Sequence, residues 1–178
     1  MRRPASTNTV LLAAALCLAS ALACGYRLIG YGEEIDGIRT VAILTPSNES
    51  YVSGVEYVVA DALRREFLRR GAVRLTEDPE AADLVLGGKV RNVHTSGRSF
   101  SSVTFSLEFQ VEMVLDLEAI GRDGVARPIG TRSMRETEYY LASADVEATR
   151  KNRDEAIRRI ASLLAQRIHD NLLEASFQ

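Results

Sequence analysis

The chain has 178 residues, 46% of them hydrophobic, with 22 Lys and Arg against 24 Asp and Glu for a formal net charge of −2. That length suits one ordinary domain with a sizeable core. A faintly acidic chain with both signs interspersed excludes nucleic acid drawn in by bulk charge, and two cysteines with two histidines leave little for a metal centre or thiol chemistry.

At the N-terminus, Arg2 and Arg3 precede an apolar run from Val10 to Leu22. As a helix those 13 residues would cover only about 20 Å, short of a hydrocarbon core of roughly 30 Å, so Met1–Ala23 reads as an export signal and not as a span. Ala21-Leu22-Ala23 ahead of Cys24 resembles the lipobox of bacterial lipoproteins, where the chain is cut before the cysteine and its sulfur carries a diacylglyceryl group. The resemblance implies a mature chain of 155 residues and charge −4 that starts at Cys24 and is held to a membrane through lipid. Gly25 replaces the Asp that typically retains such proteins in the inner membrane, which implies an outer-membrane, periplasm-facing address. Cys17 leaves with the signal, so the mature domain has no cysteine for a disulfide. Residues 24–37 are then a lipidated tether and 38–178 a single domain.

Ile38 to Leu44 is a β-branched run ended by Thr45-Pro46-Ser47-Asn48, and it predicts the first strand. Ser53-Gly54-Val55-Glu56 has the form of a capping box, and Val55, Val58, Val59, Ala62, Leu63 and Phe67 recur at helical spacing toward Gly71, predicting a helix from about Ser53 to Arg70. Val73 to Thr76 is a possible short strand, Glu77-Asp78-Pro79-Glu80 a turn, and Leu84 to Val93 a strand containing Gly87-Gly88. A Ser-rich loop is expected over Thr95 to Ser102. From Val103 to Ala119 the odd positions are apolar and the even ones polar except for Val114, which predicts one half-buried strand. Its reach of roughly 55 Å calls for a bulge, a bend or a projecting end.

Gly121-Arg122-Asp123-Gly124 is a turn, and Ile129 to Tyr140 is extended but polar on both faces, as an edge strand would be. Asn152-Arg153-Asp154-Glu155 can cap a last helix striped by Ile157, Ile160, Ala161, Leu164, Ile168 and Leu172. These elements give an α+β fold of order β-α-β-β-β-α, with two helices on one face of a mainly antiparallel four-stranded sheet whose other face is polar.

No constellation of catalytic residues emerges, and neither enzyme activity nor a cofactor or metal is expected. His94 and His169 belong to no ligand-spaced cluster. Pairing His94 with Ser96, Ser99 or Ser101 as a hydrolase would lacks a G-x-S-x-G elbow. Gly87-Gly88-Lys89 lacks the spacing of a phosphate loop and reads as a strand where another backbone comes close. Glu108 with Glu112, and Glu136 with Glu138, read as solvated strand carboxylates.

Cys24-Gly25-Tyr26-Arg27-Leu28, Ile38-Arg39-Thr40-Val41-Ala42-Ile43, Asn48, Leu63-Arg64-Arg65-Glu66-Phe67 with Gly71, Ala82-Asp83-Leu84-Val85-Leu86-Gly87-Gly88, Tyr139-Tyr140 and Arg153-Asp154-Glu155-Ala156-Ile157-Arg158-Arg159-Ile160-Ala161 together resemble the LptE family, outer-membrane lipoproteins of lipopolysaccharide assembly. The resemblance implies a role inside a β-barrel partner of the LptD type, helping it assemble, plugging it and contacting lipopolysaccharide. The alternative is a lipoprotein activator of cell-wall synthases or another envelope-assembly module, which would typically have a longer tether. Phosphates and acidic sugars of lipopolysaccharide call for a local cluster of cations. Lys89 and Arg91, alternating on one face of a strand, and Arg98 in the expected loop are the best cluster, with Arg132 and Arg135 on the next-to-last strand pointing to opposite faces so that at most one joins.

Overall fold

The computed structural model describes residues 37–100, 106–127, 129 and 132–175. The export signal, Cys24, the tether up to residue 36 and residues 101–105 therefore lie outside the described residues, Ser101 and Ser102 of the expected loop among them. The elements are β1 (Thr40–Ile43), β2 (Ser47–Asn48), α1 (Val55–Arg70), β3 (Arg74–Thr76), β4 (Leu84–Phe100), β5 (Ser106–Gly121), β6 (Ala126–Arg127), β7 (Ser133–Leu141) and α2 (Val146–Ala175).

Among the described residues seven strands form one mixed sheet of order β3-β1-β4-β5-β6, with β2 along β4 and β7 along β5. The expectation of four mainly antiparallel strands is corrected here. α1 carries the chain from β1 back to β3, and such a crossover returns the strand parallel to its start. β1 also lies parallel to β4, Val41 opposite Leu84. Only the β4, β5, β6 and β7 half is antiparallel.

The alternation of β5 holds from Val111 onward: Val111, Met113, Leu115, Leu117 and Ala119 are buried under the helices, with Leu84, Leu86 and Val90 of β4 beside them, whereas Leu107, expected on the same buried side, is 51% exposed. Leu63 and Phe67 of α1 and Ile160, Leu164 and Ile168 of α2 close this single core. The expected irregularity is shared between the two long strands: β4 has extra residues at Arg91 and Arg98, and β5 has one at Leu107, between the Ser99–Glu108 and Phe100–Ser106 pairs. β4 itself continues through Thr95 to Phe100 where a loop was expected, because pairing with β5 satisfies backbone groups that Ser and Gly composition leaves undecided. Gly88 shows why this hairpin needs a small residue: a Cβ built there would lie 2.1 Å from the Asp116 carbonyl oxygen.

Both helix starts differ from expectation. α1 is entered through Gly54 in the left-handed region with no side-chain cap, so the Ser53…Glu56 box does not form. Glu56 instead accepts from Asn48 Nδ2 at 2.8 Å, and Asn48 also donates to the Val52 carbonyl and receives the Ser50 N–H. The end at Gly71 is as expected, left-handed at φ 69° with its N–H donating to the Phe67 carbonyl. α2 begins six residues before Asn152, at Val146, where Asp145 Oδ1 accepts the Glu147 N–H at 2.8 Å.

Asp83 joins the two halves of the sheet. Its carboxylate accepts from Thr40 Oγ1, Thr40 N–H and Arg39 N–H at 2.8, 2.9 and 3.0 Å, with Arg122 alongside at 3.2 Å. Those bonds, the Thr40 hydroxyl first, hold the carboxyl below its ordinary pKa. At the far side, α2 closes over β7 through Arg159–Glu138 and Arg167–Glu136 pairs.

Candidate functional site

The helices cover one face of the sheet and leave the other open. On that open face cross-strand neighbours bring Lys89 opposite Asp116, His94 opposite Glu112, Ser96 opposite Gln110 and Arg135 opposite Val114. The extra residue at Arg91 tilts its side chain back to the same side, where it meets Glu49 at 3.2 Å and Asp116 at 3.5 Å, while Lys89 meets Glu49 at 3.3 Å. Arg98, in the strand and not in a loop, reaches Glu108 at 3.7 Å and stacks its guanidinium 4.2 Å from the centre of the Tyr139 ring. Arg135 pairs with Glu112 at 3.3 Å.

Four of the five cations expected to face lipopolysaccharide thus share one surface. Arg132 does not join them. It lies outside β7 and lines a separate groove with Leu117, Ile120, Arg127 and Ile129. Each of the four is matched by a carboxylate, and Glu49 serves two of them; neither Glu49 nor Tyr139 was expected at the site. Glu49 follows Asn48 at the end of β2, and only the parallel pairing of β2 with β4 carries it beside Lys89. Tyr139 was visible in the Tyr139-Tyr140 pair without a role.

Relative exposure decides what this surface offers. The four cationic side chains are 42% to 67% exposed, whereas the paired acids are 25% to 44% exposed. In each arginine pair the guanidinium is the more exposed partner, while Lys89 and Glu49 are exposed about equally. Exposed pairs of this kind contribute only about 0–1 kcal/mol each, so a cation can exchange its partner for an incoming anion at small cost. Bidentate arginines suit phosphate oxygens in particular.

Two other charged sites serve packing. Glu66 is buried, which pushes its pKa up, but hydrogen bonds from Arg69 and Arg70 outweigh this and leave it low. His169 is 1% exposed, with its ring edge-on to Phe67 at 5.1 Å between centroids; among the described residues no hydrogen-bond partner reaches either nitrogen, Asp170 Oδ1 standing 3.6 Å from Nδ1. Burial lowers its pKa, Arg70 adds to that, and Asp170 and Glu66 oppose it. No group of three or more His, Cys, Asp or Glu with metal-binding geometry occurs among the described residues.

A family model described as LptE, lipopolysaccharide-assembly, matches residues 38–172. No curated protein matches the chain. Among solved structures, lipoprotein B from Nitrosomonas europaea is 13% identical over 85% of this chain and 90% of its own, with a TM-score of 0.56. Rare lipoprotein B from Shewanella oneidensis is 14% identical over 76% and 95%, with a TM-score of 0.52. At such identities the likeness is one of fold.

Proposed function

The chain belongs to the LptE family of lipopolysaccharide assembly, and we propose that it is an outer-membrane lipoprotein, anchored through Cys24, that assembles with and plugs an LptD-type β-barrel and helps deliver lipopolysaccharide to the outer leaflet. The family match over residues 38–172 carries this reading, and it takes in nearly every described residue. The open face supports it. A barrel lumen is polar, and a plug needs an outer surface on which charges are compensated yet accessible, as Lys89, Arg91, Arg98 and Arg135 are beside their carboxylates. Those four cations are the surface we assign to lipopolysaccharide phosphates. No helix among the described residues is long and apolar enough to cross a membrane, so attachment through lipid at Cys24 is the route this reading requires. The role is that of an assembly factor and not of an enzyme.

The test is affinity purification from outer membranes of the wild-type protein and of Cys24→Ala. A β-barrel recovered in equal amount with the wild type, and a variant lost from the outer membrane as a soluble form or uncut precursor, is the expected pair of results. Recovery without a barrel, together with defective peptidoglycan synthesis on depletion, would favour the cell-wall activator.

A further inference from the structure

The margins of the sheet are not closed alike. Along β7, side chains of α2 cap the outward carbonyls: Asn152 Nδ2 donates to Leu141 at 2.9 Å, Arg159 to Tyr139 at 3.3 Å and Arg167 to Arg135 at 3.2 Å. At the end of β1, Arg64 donates to the Ile43 carbonyl at 3.0 Å. Among the described residues β4 has no such cover in its second half. Its parallel neighbours stop at Val90, whose carbonyl accepts the Glu49 N–H at 2.9 Å, and from Asn92 to Gly97 it pairs with β5 alone among the described residues.

The direction of the free groups follows from the ladder. Leu86 and Val90 turn their carbonyls toward β1 and β2, accepting from Leu44 and Glu49. The extra residue at Arg91 advances the alternation by one, so beyond it the N–H and C=O groups of Val93, Thr95 and Gly97 point away from β5. Register slips bound the stretch at both ends, leaving a six-residue window of regular strand about 20 Å long. It contains no proline or lysine of the kind that blunts natural edges.

Charge beside the window selects the occupant. Arg91 and Arg98 flank it on the open face, each half exposed, with exposed His94 between them; an incoming acid would replace Glu49 and Asp116 at the first and Glu108 at the second, exposed pairs of about 0–1 kcal/mol. A second copy of the chain is disfavoured, since pairing two such edges would set these groups against one another. We propose that the outer edge of β4 over Asn92–Gly97 is a docking site for an extended acidic segment of a partner protein, which adds a further strand to the sheet and places its carboxylates against Arg91 and Arg98. Main-chain bonds supply affinity and the flanking arginines supply choice. The proposal does not rest on the barrel reading, but it draws on Arg91 and Arg98, two of the four cations assigned there to lipopolysaccharide.

A displayed library of random nonapeptides, panned on the mature chain, is the probe. The expected winners carry Asp or Glu an even number of positions apart, on one face of the strand. Thr95→Pro removes an outward N–H and leaves the β5 ladder whole, and it is expected to weaken a winning synthetic peptide at least tenfold while the fold persists by circular dichroism. N-methylation of alternate amides of that peptide should abolish binding in one of its two phases and spare it in the other, a readout that does not touch the protein. No enrichment of acidic sequences, equal binding by a folded Thr95→Pro variant, or equal effects of both methylation phases would overturn the proposal.

Discussion

Gly87 and Gly88 are adjacent in β4, yet the structure separates them sharply. A Cβ at Gly88 would lie 2.1 Å from the Asp116 carbonyl oxygen and 3.0 Å from Leu117 Cα, all backbone of the neighbouring strand, while at Gly87 it would meet only Leu44 Cδ1 at 3.8 Å. A backbone wedged between the core and the open face cannot turn aside as a side chain can. Gly88→Ala must therefore push β4 and β5 apart, and overpacking of this kind costs about 1–3 kcal/mol; the upper end applies where backbone is the obstacle. At roughly 2–4 °C per kcal/mol for a chain of this size, thermal denaturation followed by circular dichroism should show a fall of about 6–12 °C for Gly88→Ala. Gly87→Ala should stay within roughly 0.5 kcal/mol of the parent, because ordinary van der Waals contact is all it gains. Equal melting of the two variants, or a Gly88→Ala variant as stable as the parent, would refute the argument that close strand approach requires this glycine.

His169 makes stability depend on pH. Its folded pKa lies below 6.5, so in the window between the two values the unfolded chain takes up a proton that the native chain refuses. Stability is then whole above about pH 6.5 and falls as pH drops through that window, and His169→Phe should flatten the slope; Glu66, whose carboxyl is lowered instead, contributes above 4.5 and is lost only below it. On the open face, charge reversal at Lys89 or Arg91 would set like charges beside Glu49 and Asp116, so the informative change is Lys89→Gln with Arg91→Gln. Pull-down of purified lipopolysaccharide at two salt concentrations should show about tenfold weaker, less salt-sensitive binding at a melting temperature corresponding to no more than about 1 kcal/mol of change, and undiminished binding would move the contact surface elsewhere.

Elements whose character is written at short range were legible in the chain: the alternation of β5, the stripe of α1 with its stop at Gly71, and the stripe of α2. Each repeats a period of two or 3.6 residues against a single buried side, so a window of a dozen residues contains the whole signal. The placing of Lys89 and Arg91 on one face was likewise local. Everything that depends on which strand lies beside which was not. The parallel half of the sheet, the seven-strand count and the run of β4 through Thr95–Phe100 are set by backbone pairing across distant positions, to which Ser and Gly side chains contribute almost nothing. The same holds for Asp83, which acts by bonds to Thr40 and Arg39 forty-odd residues away, and for Glu49, which meets Lys89 only because β2 follows β4. Arg98 joined the cluster as expected but from a strand and not from a loop, because the hairpin carried it onto the open face, and of Arg132 and Arg135 only the second joined, since Arg132 lies before the start of β7. A chain states its own periodicities, but hydrogen bonds between strands are indifferent to sequence distance, and only the closed sheet determines which charges meet.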